Sequence, residues 1–182
     1  MHIVAVVGMT GSGKTEVSSE LEKRGWKRLR FGDVTDDELK RRGWPRQERY
    51  ERVVREELRK EHGMAAYAKM MVPKIDKALS GSHVVVDGLY SWEEYLTLKD
   101  KYHGQLTVLA VSSSPATRYA RLGSRGERPL TPEEAASRDR AEIENLNKGG
   151  PISVADYTLV NEGSLKEMVR QLDEFLSWLD AR

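Results

Sequence analysis

The run Gly8-Met9-Thr10-Gly11-Ser12-Gly13-Lys14-Thr15 constrains this chain more than any other stretch. A glycine, four residues and then Gly-Lys-Thr is the spacing of a phosphate-binding loop, whose backbone N–H groups converge on one point because no side chains stand between them. Such a loop has to follow a strand and open a helix. His2 to Val7 is a short apolar run of the kind that forms a buried parallel strand, and Val17 and Leu21 recur at helical spacing before Gly25. The helix N-terminus then faces an anion. In that frame Gly8, Met9, Thr10, Gly11, Ser12 and Gly13 cradle phosphates, Lys14 reaches the β- and γ-phosphates, and the Thr15 hydroxyl coordinates Mg²⁺.

Three further apolar runs read as strands: His83 to Gly88, Leu106 to Ser112 and Tyr157 to Gly163. Helical patterns lie between them. Four of these begin with Ser or Thr followed three residues later by Glu: Thr35/Glu38, Ser91/Glu94, Thr131/Glu134 and Ser164/Glu167. That spacing is the capping-box signature of a helix start. Strands alternating with helices imply an α/β fold, a mostly parallel sheet with helices on both faces, which binds ligands beyond the carboxyl ends of its strands. With 182 residues, the chain suits one domain spanning 1–182. Within it, about 33–72 reads as a small helical acceptor-binding region and about 118–140 as a short lid.

Charge and cysteine usage exclude some classes of partner. Thirty basic against twenty-nine acidic residues leave +1, which gives no general pull toward nucleic acid or an anionic membrane. Cysteine is absent, so disulfides and thiolate chemistry are excluded. No apolar run approaches the roughly 20 residues of a membrane span. The default expectation is a soluble, cytoplasmic protein, monomeric or weakly self-associating.

A phosphate loop is shared by kinases, GTPases and motors, so other residues must discriminate. Asp87 closes an apolar run, where its carboxylate is placed to hold Mg²⁺ directly or through water, or to serve as a turn residue. The guanine-reading Asn-Lys-x-Asp pattern of GTPases is not met by Asn147-Lys148-Gly149-Gly150. Phosphoryl transfer calls for cations around the migrating group. Arg118, Arg121, Arg125 and Arg128 border the Gly/Pro-rich stretch Leu122 to Pro132, and Arg121 and Arg125 share a face if that stretch is helical. Arg138 and Arg140 follow on the helix that Thr131 opens. The bland reading of each is a solvated charge; their grouping favours a closing lid that excludes water.

Asp33 follows a possible short strand and precedes a helix, so it suits either a cap or a group that accepts a proton from an acceptor hydroxyl. A basic helix with Lys40, Arg41, Arg42, Arg46, Arg49 and Arg52 comes next, most of it suited to solvent. His2, His62, His83 and His103 show no ligand spacing. Trp92 and Trp178 read as packing residues.

Taken together, "GMTGSGKT", "FGDV", "VVVDG", the Arg121 and Arg125 pair, "RDRAE" and "ADYTLVNEGSLKEMVRQL" resemble the adenylate kinase-type P-loop kinases, above all dephospho-CoA kinase and its archaeal-type relatives. The resemblance implies a kinase that uses ATP and Mg²⁺ on a nucleotide-like small molecule, in which Lys14 steadies the transferring phosphate and Asp33 contacts or activates the acceptor hydroxyl. It places Arg121 and Arg125 in the lid, brings Arg138 toward the phosphates, and sets the backbone from Asn161 to Gly163 beside adenine. One departure bears on the acceptor: "DGLYSWEE" carries Tyr90 near the place where adenylate kinases set an arginine on the acceptor phosphate. A phenol cannot make that bidentate charged contact. The departure favours dephospho-CoA over AMP. A nucleoside monophosphate kinase and a non-catalytic ATP-binding regulator remain the alternatives. A regulator would expose the apolar face of the last helix, whereas a nucleic-acid end kinase would need more positive charge than this chain carries.

Overall fold

The computed structural model describes residues 1–126 and 128–182. Its strands are β1 (Ile3–Val7), β2 (Lys27–Arg30), β3 (Val84–Asp87), β4 (Leu106–Ser112) and β5 (Tyr157–Val160). They form one five-stranded sheet in the order β2-β3-β1-β4-β5, with every pairing parallel. The helices are α1 (Lys14–Lys23), α2 (Gly32–Arg42), α3 (Glu48–His62), α4 (Ala66–Leu79), α5 (Trp92–Tyr102), α6 (Pro115–Gly123), α7 (Pro132–Leu146), α8 (Gly149–Ser153) and α9 (Leu165–Asp180).

The alternation of side chains along β1 explains the layers. Ile3, Ala5 and Val7 join Val84, Val86 and Val108 under α4 and α5, packing against Met71, Ile75 and Leu98. Val4 and Val6 point the other way and meet Val17 and Leu21 of α1 with Met168, Leu172 and Phe175 of α9. β1 is therefore buried on both faces, which is why its sequence is apolar throughout rather than alternating. The apolar stripe of α9 is spent on the sheet, as the simpler reading of that helix expects.

Two of the expected capping boxes form in full. The side chains of Ser91 and Thr131 accept from the backbones of Glu94 and Glu134, whose carboxylates return the bond. Ser164 accepts from the Glu167 N–H. Thr35 does not cap: α2 starts earlier, at Gly32, and the Thr35 hydroxyl lies 2.7 Å from that of Tyr67 inside the core. The expected single basic helix is likewise two helices. Gly43, left-handed at φ 67°, ends α2 after Arg42, so that Arg49 and Arg52 belong to α3. A left-handed C-terminal residue suits glycine because it carries no Cβ.

Candidate active site

The loop between β1 and α1 is shaped by its glycines. Gly8 has φ +147° and Gly13, the N-cap of α1, has φ +99°. A Cβ on Gly8 would stand 2.7 Å from the Ser12 hydroxyl, and one on Gly13 would overlap the side-chain amide of Asn161. Only glycine suits either position. The resulting loop is a glycine cradle of the kind whose backbone N–H groups hold phosphate.

The loop is also tied down from outside. Asn161, just past β5, donates from its amide to the Ser12 carbonyl at 2.8 Å. Ser113 donates to the Asn161 carbonyl at 2.6 Å and in turn accepts from Arg121 at 3.1 Å. Arg118, only 4% exposed, donates to the Thr10 carbonyl at 3.1 Å and makes a two-pronged pair with Asp139 at 2.8 and 2.6 Å. Arg118 is therefore an anchor between α6, α7 and the loop, and its guanidinium is committed to protein partners.

A cavity of about 490 Å³ opens beside the loop, lined among others by Gly11, Gly13, Lys14, Thr15, Arg121, Arg125, Asn161 and Gly163. The fold thus gathers most of the expected nucleotide residues at one place. Arg121 lies in the last turn of α6, while Arg125 lies past the helix and reaches the cavity from the connecting segment. The condition for both to share a helical face is not met, because α6 stops at Gly123. Glu127, in the same segment, lies outside the described residues.

Lys14 donates to the Met9 carbonyl at 3.0 Å. Burial pushes its ammonium down to about 7 and repulsion from Lys148 adds to this, while Glu142 and Asp87 pull the other way. A phosphate placed in the cradle would supply the missing counter-charge. Asp87 ends β3 close by, and its carboxylate is paired with Arg28 of β2, which also donates to Ser19 at 2.9 Å. Mg²⁺ in phosphate sites takes few protein ligands and several phosphate or water oxygens. The donors present, Thr15 and Asp87, fit that economy. Among the described residues no three acidic or histidine side chains gather into a cage.

Sequence reasoning missed a buried network beside the loop. Glu142 of α7 accepts from the Thr10 hydroxyl at 2.5 Å and from Lys148 at 2.6 Å. Burial alone would raise the Glu142 carboxyl, but Lys148, Thr10 and Arg138 together hold it at about 2. Lys148 stood in the sequence only as part of a failed guanine motif.

The start of α2 and the turn after β3 are different in kind. Asp33 sits in the first turn of α2, 40% exposed, and meets Arg30 at 3.3 Å. Asp36 meets Arg46 at 3.3 Å. Tyr90 folds back against Gly88 and lies under Lys148, and burial pushes its hydroxyl up to about 12. It stays a neutral phenol at any physiological pH. Glu94 fixes this turn by accepting from the Tyr90 and Ser91 N–H groups at 2.8 and 3.0 Å.

A parallel sheet whose central strand feeds a glycine cradle, with a lysine opening the next helix, defines a nucleotide-binding protein of the P-loop class. A family model described as an AAA domain matches residues 4–145. A UPF0200 protein of Thermococcus kodakarensis is 38% identical over 97% of this chain and 100% of its own length. The chain belongs to this AAA-domain family and to the UPF0200 proteins. Among solved structures it resembles a shikimate kinase from Bacteroides thetaiotaomicron (TM-score 0.63, 14% identity, 97% of this chain and 98% of the other). It also resembles a gluconokinase from Sinorhizobium meliloti (TM-score 0.59, 19% identity, 98% and 93%). These likenesses establish a P-loop kinase fold.

Proposed function

We propose that this protein is an ATP-dependent phosphotransferase acting on a hydroxyl of a nucleotide-like small molecule, with dephospho-CoA as the leading acceptor. The observation that carries the proposal is the convergence of the loop, Lys14, Arg121 and Arg125 on one cavity. The loop amides and Lys14 would hold the polyphosphate, Arg121 and Arg125 would border the nucleotide from the lid, and Arg138 would close on the phosphates. Thr15, with Asp87 acting through water, would hold Mg²⁺, which when bound neutralises charge on the phosphates. Asp33 is open enough to accept a hydroxyl proton or to orient the acceptor. Neutral Tyr90 after Gly88 supports an acceptor other than AMP, since it offers no charge to a phosphate there. The kinase fold of the structural neighbours supports an enzyme over a silent regulator, and so does the covered apolar face of α9.

The test is ADP release with Mg-ATP across dephospho-CoA, the common NMPs and dNMPs, and no acceptor. A dephospho-CoA-dependent signal is expected. It should fall by a factor of about 100 to 1,000 in Lys14→Ala, the range seen when one preorganised stabiliser of transition-state charge is removed. NDP formation from an NMP, with dephospho-CoA ignored, would replace this reading with a nucleoside monophosphate kinase. Tight ATP binding without turnover on any acceptor would point to the regulator.

A further inference from the structure

Glu142 is an odd residue to find at a phosphate site. It is a carboxylate, 7% exposed, holding the loop through Thr10, where an uncompensated negative charge would repel a bound polyphosphate. Two cations touch it, and they are unequal. Lys148 is 1% exposed and sits 2.6 Å from one carboxylate oxygen. Arg138 is 53% exposed and reaches the other oxygen at 3.3 Å, one turn along the same helix. The backbone turn that brings Lys148 inward is specific. Asn147, left-handed at φ 52°, ends α7, and the Lys148 N–H then donates to the Glu142 carbonyl at 3.3 Å. Lys14, the other cation nearby, is engaged with the Met9 carbonyl.

We propose that Lys148 is a positioning residue for the phosphate site: it carries the counter-charge of Glu142, so that Glu142 can hold the loop through Thr10 while Arg138 stays free to close on the phosphates. The inference rests on reading the cleft as a Mg-ATP site. In its terms the exposed Arg138 contact is a resting place and the buried Lys148 contact a permanent one. If Lys148 is removed, Glu142 retains Arg138 as its remaining charged partner among the described residues, and the arginine is drawn away from the nucleotide.

The experiment is a double-mutant cycle on Mg-ATP affinity, read by calorimetry with the full chain. Arg138→Ala is expected to weaken wild-type binding about tenfold, the loss of one charge-assisted contact. Lys148→Met is expected to weaken it by a similar factor of about ten, and Arg138→Ala to cost little more in that background. Glu142→Gln combined with Lys148→Met should recover most of the affinity, because a neutral amide no longer captures Arg138. In that double variant Arg138→Ala should again cost its full factor. The double variant also keeps the test open should Lys148→Met alone fail to fold, since removing both buried charges is far milder than leaving one unpaired. A merely structural Lys148 would also be relieved by Glu142→Gln, so the discriminating readout is the coupling to Arg138→Ala, which a structural role would not move. Equal losses from Arg138→Ala in the wild-type and Lys148→Met backgrounds would overturn the proposal, as would wild-type affinity in Lys148→Met or an Arg138→Ala variant that binds normally. A wild-type protein that bound no Mg-ATP would instead sink the reading of the cleft itself.

Discussion

The phosphate-loop region and the α2–α3 region are built on different principles; on the proposed reading they are the phosphate wall and the acceptor wall of the site. On the phosphate wall, backbone geometry and buried hydrogen bonds hold most groups: the Ser12 carbonyl, Thr10, Asn161, Arg118 and Glu142 are each tied to a named partner, while the Ser12 hydroxyl is buried without one. On the acceptor wall, charges of β2, α2, α3 and the segment between the helices form a loose chain, Arg30 with Asp33, Asp36 with Arg46, and Arg46 with Glu51 at 3.8 Å. A preorganised wall suits a ligand part that never changes, such as a polyphosphate. An adaptable wall of exposed ion pairs suits the part that distinguishes one enzyme from another, and exposed pairs exchange partners at little cost.

The contrast can be broken by mutation. Its largest expected effect is Arg118→Ala, which removes a 4%-exposed guanidinium from the loop and leaves the part-buried Asp139 with the Tyr119 hydroxyl as its remaining partner; breaking such a pair costs up to about 3–5 kcal/mol. In a chain of this size that lowers Tm by roughly 10 °C or more. Thermal unfolding followed by circular dichroism measures it, and a shift below a few degrees would mean that the phosphate wall is less committed than its bonds suggest.

A second effect comes from Lys14, whose ammonium is pushed to about 7 from 10.5 by burial. A bound polyphosphate favours the charged form, so the complex holds one more proton than the free protein above pH 7. Mg-ATP affinity should therefore fall as pH rises from 7, by at most about tenfold per pH unit. Stability of the free protein moves the other way. Between about 7 and 10.5 the unfolded chain binds the extra proton, so this group makes the fold more stable as pH rises through that window. Opposite slopes for affinity and stability would be the signature; both should flatten in Lys14→Met.

The smallest effect belongs to the acceptor wall. Arg46, 63% exposed beside Asp36, should change Tm by about 2 °C or less when replaced by Ala. A drop comparable to that of Arg118→Ala would erase the distinction between the walls.

The same distinction governs what the sequence revealed. The loop was legible because its requirement is local: glycine at positive φ and a lysine at fixed spacing leave a pattern within eight residues. The sheet was legible because its strands are apolar runs, and even the short β2 was foreseen as a possible strand. What escaped was long-range. Arg118 finds Asp139 across 21 residues, Thr10 finds Glu142 across 132, and Asp87 finds Arg28 across 59. No periodicity announces such meetings. Thr35 misled for a related reason, since Thr-x-x-Glu is a cap only if the helix starts there, and tertiary packing against Tyr67 claimed the hydroxyl instead.

The position of β1 has a consequence for how the chain comes into being. β1 is synthesised before both strands that flank it in the sheet, β3 and β4, whose last residues are 87 and 112. At about 5–20 residues per second, both edges of this apolar strand wait several seconds or more for their partners during translation. The helix that follows the loop can cover one face meanwhile, but the backbone edges stay open. A nascent chain stalled before residue 106 should therefore be a client for chaperones that grip extended apolar segments, and one released beyond residue 112 should no longer need them.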